Sequence, residues 1–196
     1  MINLVERAGV YPVSDDSLLL LKAIDASHGD VLDMCAGTGV VGLNAAKFAD
    51  FVTLVDVSER ALEAIKDSAE KNGIRNVRVV KSDLFSGLDG EMFDVIFMNP
   101  PYLPGKASKG DDLDTATVGG EKGYELTKRF ILDAPKHLKP GGRIFIILST
   151  RYDVNEVYTA INEVGFEYKI LDASDFFFEK IMLLEMYESR RDNKLE

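Results

Sequence analysis

Short apolar runs alternate with segments of helical period from residue 31 onward. Residues 31–34 and 51–55 read as buried strands, and residues 39–48 between them as a helix of moderate period through Val41, Leu43 and Ala46. Ser58 is placed to cap a second helix whose inner face is Leu62, Ile65 and Ala69, and Gly73 stands where a helix-ending glycine belongs. Residues 77–80 and 93–98 follow as strands. The latter is apolar almost throughout, which fits a parallel strand covered on both faces. A helix over 124–138, kinked at Pro135, a strand over 143–149 and a helix from Asp153 to near Gly165 come next. Strands 166–171 and 179–187 close the pattern.

Strand–helix alternation with short links predicts an α/β fold, a Rossmann-like doubly wound sheet of seven strands. The link between the last two strands is too short for a parallel crossover, so the last strand is expected to be antiparallel. Residues 1–30 read as an N-terminal flap with a helix over 18–26, and residues 189–196 as a charged, frayed tail. No repeat or second domain stands out.

Composition narrows the function. The chain has 196 residues, 46% of them hydrophobic, enough for one domain. A net charge of -10 argues against holding nucleic acid by neutralising phosphates. One cysteine and two histidines leave no cysteine- or histidine-based metal site. No apolar run reaches the roughly 18 residues of a membrane span. The N-terminus also lacks a signal-peptide pattern, so a soluble cytoplasmic protein is expected.

The first chemical signal follows the first strand. Gly37, Gly39 and Gly42 form G-x-G-x-x-G, a loop that lets a ligand approach the backbone. Alone it is also compatible with a plain tight turn. Asp33 decides between cofactors: a carboxylate at this strand end repels a pyrophosphate, whereas S-adenosylmethionine brings a cationic amino group and a sulfonium. Asp56 ends the second strand and can accept two ribose hydroxyls. Asp83 follows the third and can accept from an adenine amino group, with Leu84 against the ring. Each acid read alone is equally a cap or a turn residue.

Asn99-Pro100-Pro101-Tyr102 follows the fourth strand, at the end of the sheet where such folds bind ligands. Proline fixes φ and removes the N–H, so the loop offers acceptors rather than donors. The Asn99 side-chain oxygen and the Pro100 carbonyl can each accept one N–H of a planar nitrogen, and Tyr102 can stack on it. That orients the nitrogen lone pair for attack on a methyl group, with catalysis from positioning and no strong base.

These motifs together resemble the class I S-adenosylmethionine-dependent methyltransferases. Within them the chain is most similar to the HemK-like branch, which methylates a glutamine of translation release factors. Residues 10–20, with Tyr11, Asp16 and Ser17, resemble that branch's Tyr-Glu-Pro-x-Glu-Asp-Thr entry, and Gly119-Gly120-Glu121-Lys122-Gly123 its later glycine segment. Cys35 and Ala36 stand where the branch often has Gly and Ser, and Pro12 lies one place early. The resemblance implies a cofactor pocket of Tyr11, Asp16, Ser17, Asp33, Cys35, Ala36, Gly37, Gly39, Asp56, Val57, Asp83, Leu84 and Asn99. It implies catalysis by Asn99, Pro100, Pro101 and Tyr102, with no metal.

The resemblance also implies a partner. Short family members use a small zinc-binding activator that pairs with an edge strand. The strand in question is Val77-Arg78-Val79-Val80, apolar for an edge. Cover by the chain itself or by a second copy is the alternative. Residues 103–122 lack a period and read as a substrate lid. Phe176-Phe177-Phe178 reads as core or hairpin packing rather than as a stacking surface.

The leading reading is a protein N5-glutamine methyltransferase acting on a release factor. An adenine amino methyltransferase on RNA or DNA poses the same planar-nitrogen problem. Residues 81–125 hold nine acids against four lysines, which favours a protein substrate. A catalytically inactive S-adenosylmethionine-binding scaffold and a nicotinamide oxidoreductase stand behind these two.

Overall fold

A computed structural model describes residues 2–108 and 112–189, the side chain of Asp112 excepted. The chain runs α1 (Asp15–Leu21), β1 (Asp30–Met34), α2 (Val40–Ala45), β2 (Phe51–Asp56), α3 (Glu59–Lys71), β3 (Val77–Lys81) and β4 (Phe93–Met98). It continues through β5 (Leu103–Pro104), α4 (Asp112–Thr117), β6 (Val118–Gly120), α5 (Glu125–Asp133), β7 (Leu138–Ser149), α6 (Val154–Glu163), β8 (Phe166–Asp175) and β9 (Lys180–Glu188).

Seven strands form one sheet in the order β3-β2-β1-β4-β7-β9-β8, and β5 and β6 form a separate pair. The first five of the seven run parallel, and β9 is antiparallel to both β7 and β8. The predicted doubly wound sheet with an antiparallel last strand is therefore present. One core lies under α1, α2 and α3 with Val31, Leu54, Ile65 and Phe97; the other lies under α5 and α6 with Ile96, Phe130, Ile144 and Leu184. Both faces of β4 are thus covered, which explains its unbroken apolar run.

Several bounds differ from the sequence reading. The N-terminal helix is Asp15–Leu21 rather than 18–26, with two acids in its first turn, where they complement the helix dipole. The helix α2 stops at Ala45, where Asn44 Nδ2 donates to the Val40 carbonyl at 2.7 Å and competes with the helix ladder. The helix predicted over 124–138 ends at Asp133, because Pro135 starts a 3-10 turn over Ala134–Lys136. The strand β7 then begins early, at Leu138, with a register shift before Arg143. Residues 103–122, read as lacking a period, contain β5, α4 and β6 as far as they are described. The predicted frayed tail lies outside the described residues apart from Ser189. No helix among the described residues is long and apolar enough to cross a membrane.

Candidate functional site

The carboxyl ends of β1, β2, β3 and β4 open onto one cavity of about 260 Å³. Its wall includes Tyr11, Ser17, Asp33, Cys35, Ala36, Gly37, Asp56, Val57, Asp83, Leu84, Asn99 and Pro101, all read from the sequence. It also includes Met34, Thr38, Val40, Val41, Val55, Ser58, Ser82, Ala107, Thr115, Ala116, Val118 and Leu126, which were not. Asp16, Gly39, Pro100 and Tyr102 do not line it.

Backbone geometry shapes the floor. Gly37 has φ +53, and a Cβ there would meet nothing within 4 Å, so this glycine serves the turn. Gly39, at φ +75, does a different job: a Cβ would come within 2.9 Å of Ile65, so its bareness lets α2 pack on α3 and the sheet. Cys35 and Leu84 hold positive φ without being glycine, at 58° and 50°. Such positions persist where neighbours over-determine them. Ser82 does so for Leu84: its hydroxyl donates to the Leu84 carbonyl at 2.7 Å and accepts from Gly87 N–H at 2.8 Å.

Three acids ring the cavity in different states. Asp33 is 2% exposed, and its Oδ2 accepts from Gly42 N–H at 2.8 Å. Burial pushes its carboxyl up to about 8; the Gly42 bond opposes this and the Asp56 charge adds to it. Asp56 accepts from Gly37 N–H and Ser58 N–H, both at 2.9 Å, one on each oxygen. A carboxylate held this way by backbone N–H groups presents a fixed pair of acceptor oxygens, the geometry that suits a diol. Asp83 meets Arg129 at 2.9 Å in an ion pair more than half exposed on both sides, a contact that a ligand displaces at little cost. The Cys35 thiol is pushed well above its ordinary range by burial and by the Asp56, Asp33 and Asp83 charges, so it stays a neutral thiol.

The Asp33 shift has a definite sign. The folded protein holds a proton there that the unfolded carboxyl, with a pKa near 3.9, gives up. Stability from this group is therefore full below about pH 4 and is lost as pH rises through about 8. Asp33→Asn should raise the melting temperature of the free protein at about pH 9 and barely change it at about pH 4, as calorimetry at both values would show. A cationic ligand beside Asp33 should draw the proton off, so its affinity rises with pH across the neutral range.

The fourth strand ends in an orphan. Asn99 Oδ1 is buried and has no hydrogen-bond partner. A buried carbonyl left unpaired is costly, and such atoms mark sites that await a donor. Pro101 joins Asn99 on the wall, and the end of α4 holds the loop from behind: Tyr102 N–H donates to the Thr117 carbonyl at 3.1 Å. Tyr102, read as a stacking ring, stands outside the cavity wall. Its hydroxyl donates to Asp16 Oδ2 at 3.4 Å, and burial together with the Asp16 charge pushes its pKa up, so it stays a donor.

Asp16, 1% exposed, also accepts from Ser14 Oγ at 2.7 Å, Ser17 N–H at 2.6 Å and the Tyr11 hydroxyl at 3.1 Å. The N-terminal entry is thereby tied to the Asn99-Pro100-Pro101-Tyr102 loop, while Tyr11 and Ser17 reach the cavity. The wall carries three acids and, among the described residues, no lysine or arginine. Such a wall fits a ligand with a cation, a diol and a planar amino group better than a diphosphate.

Residues 2–175 match the methyltransferase small domain family. The chain belongs to that family. This methyltransferase is 35% identical over 190 residues, 95% of each chain, to a Methanocaldococcus jannaschii protein whose provisional name is protein N5-glutamine methyltransferase. It is 31% identical over 150 residues to the ribosomal RNA small subunit methyltransferase C of Alcanivorax borkumensis, covering 73% of this chain and 41% of that one. Among solved structures, a chain of the E. cuniculi Mtq2–Trm112 complex, responsible for methylation of the eRF1 translation termination factor, superposes with a TM-score of 0.72. Identity there is 25%, over 92% of this methyltransferase and 99% of that chain.

Part of the wall was out of reach of motif reading. Ala107, Thr115, Ala116 and Val118 come from the segment read as a lid, and only the glycines after Val118 signalled that it packs on the Asn99-Pro100-Pro101-Tyr102 loop.

Proposed function

We propose that the chain transfers a methyl group from S-adenosylmethionine to the side-chain amide nitrogen of a glutamine in a translation release factor. The orphaned Asn99 Oδ1 carries this reading: it is an acceptor with no donor, at the end of a cavity lined by Asp33, Asp56 and Asp83. Asp33 would hold the cofactor's cationic end, Asp56 its ribose hydroxyls, and Asp83 with Leu84 its adenine. When bound, S-adenosylmethionine supplies an electrophilic methyl group on its sulfonium.

The chain does the rest by placement. Asn99 Oδ1 accepts one amide N–H and the Pro100 carbonyl the other, which turns the nitrogen lone pair toward the methyl group and favours its pyramidalisation. Asp16 holds Tyr102, and with it the loop, in place. Once nitrogen becomes cationic its proton leaves to solvent, so no strong base is required, and the neutral Cys35 takes no part.

A second reading, transfer to a base of RNA, is favoured by the similarity to the Alcanivorax borkumensis ribosomal RNA enzyme. Asn99 would serve an exocyclic amine equally well, but the acidic wall does not suit a polyanion. Labelled S-adenosylmethionine should label purified release factor and leave ribosomal RNA and DNA unlabelled; the reverse would refute the protein reading.

The edge strand β3 fits a small activating partner that adds a strand of its own, as the Mtq2–Trm112 complex suggests. Arg78, ion-paired with Glu91, and Lys81, paired with Glu59 at 2.6 Å, guard it only lightly. Mixing with such a zinc-binding protein should raise solubility and turnover, and no change in either would count against it.

A further inference from the structure

We propose that the turn of the β8–β9 hairpin grips the protein substrate beside the modified glutamine, through Phe177 and Phe178. The sequence suggested that these rings serve core or hairpin packing. Instead Phe177 is 93% exposed and Phe178 78%, and they contact each other edge to face at 4.6 Å. Adjacent exposed phenylalanines on one turn are a cost to a protein that uses them for nothing.

The turn is not loose. Phe176 N–H donates to the Glu179 carbonyl at 2.7 Å, and Lys180 N–H donates to Thr150 Oγ1 at 2.9 Å. Thr150 N–H in return donates to the Lys180 carbonyl at 3.0 Å. The Ser149 hydroxyl donates to Glu179 Oε2 at 2.6 Å, which fastens the turn to the carboxyl end of β7. That is the rim on which the cavity opens, and the Glu179 charge is felt by the Tyr102 hydroxyl. A turn whose backbone is already fixed at the rim of a binding site loses little backbone entropy on contact, as interface anchors require.

The position decides the occupant. Strands in a sheet stand about 4.8 Å apart, so the hairpin lies roughly 10–14 Å across the sheet from β4, which Asn99 follows. An extended chain covers that distance in about three to four residues. The rings thus fall where residues flanking the glutamine in the same substrate segment would pass. The free edge β3 is six strand spacings from β8, about 29 Å, so an activator there does not compete.

A nucleic acid would need free cations beside the rings. The lysines of this hairpin and the one that meets it each sit beside an acid, Lys22 by Asp172 at 2.6 Å, Lys169 by Glu185 at 2.8 Å and Lys180 by Asp175 at 3.2 Å, so they add no net positive charge there. With Glu179 set against the exposed Arg151 beside Thr150, the charges balance and the surface is aromatic and near neutral, suited to a polypeptide with apolar side chains rather than to a polyanion.

This assignment rests on the glutamine-transfer reading, and the test separates the two. The double variant Phe177→Ser/Phe178→Ser changes exposed side chains only and should keep the wild-type melting temperature. Its KM for intact release factor should rise about tenfold or more, while kcat and the Kd for S-adenosylmethionine stay within about twofold. A short glutamine peptide without the flanking residues should be methylated equally by variant and wild type. An unchanged KM for the intact factor would overturn the docking assignment and leave the enzyme reading standing. If wild type fails to methylate the factor, both fall. Loss of RNA methylation, or of a dimer of this chain, in place of the KM effect would also overturn it.

Discussion

Replacing Asn99 with alanine should lower kcat for methyl transfer by roughly 10²–10³-fold or more while the protein stays folded and binds S-adenosylmethionine with nearly unchanged affinity. The expectation combines two features that seldom coincide. Asn99 stands at the end of the cavity next to Pro101, where an acceptor would act on the reacting nitrogen. Its Oδ1 also makes no hydrogen bond in the free protein. Removing a side chain whose buried oxygen is unpaired leaves no partner stranded, so the loss in stability should stay below about 1 kcal/mol. An ordinary buried asparagine would show the opposite pattern, a stability loss with activity falling only through unfolding. Isothermal titration with the cofactor, thermal melts and single-turnover transfer on one preparation separate the two outcomes.

Gly119→Ala should cost both activity and stability. A Cβ at Gly119 would stand 2.4 Å from the Pro101 carbonyl oxygen and 2.3 Å from that of Gly123. Both obstacles are backbone. One belongs to the Asn-Pro-Pro-Tyr loop, whose prolines deny it freedom to yield. Overpacking of this kind costs typically about 1–3 kcal/mol, and more when the backbone is held. At about 2–4 °C per kcal/mol for a chain of this size, the melting temperature should fall by several degrees. The surviving folded fraction should still bind the cofactor through Asp56 and Asp83 yet transfer methyl slowly, because the displaced carbonyl moves Asn99 with it. Gly37→Ala is the informative contrast. A Cβ there meets no atom within 4 Å, so only its positive φ should matter, and the penalty should be smaller.

Much of this was legible before any coordinates, and for physical reasons. Strand ends in a doubly wound sheet point at the ligand, so acids and the Asn-Pro-Pro-Tyr loop following apolar runs identify themselves. The antiparallel last strand followed from link length alone. The details that escaped depend on tertiary contacts. Asp33 reads from sequence as a plain anion, yet complete burial keeps it largely protonated at neutral pH until a cation arrives. Tyr102 reads as a stacking ring, and that Asp16, from eighty-six positions earlier in the chain, holds its hydroxyl could not be read from the motif. The left-handed backbone at Cys35 and Leu84 has no sequence mark, because neither residue favours it. Phe176-Phe177-Phe178 reads as core or hairpin packing because aromatic residues are usually well covered, and only the turn geometry leaves all three exposed, Phe177 and Phe178 most of all.

The central claim is transfer to a glutamine amide, and locating the methyl group tests it most directly. Release factor incubated with this protein and S-adenosylmethionine, then digested and sequenced by tandem mass spectrometry, should carry one added methyl group on the side chain of a single glutamine. It should carry none when Asn99→Ala replaces the wild type. A methyl group on lysine, arginine or a terminus, or one found only on RNA in a parallel digest, would contradict the account.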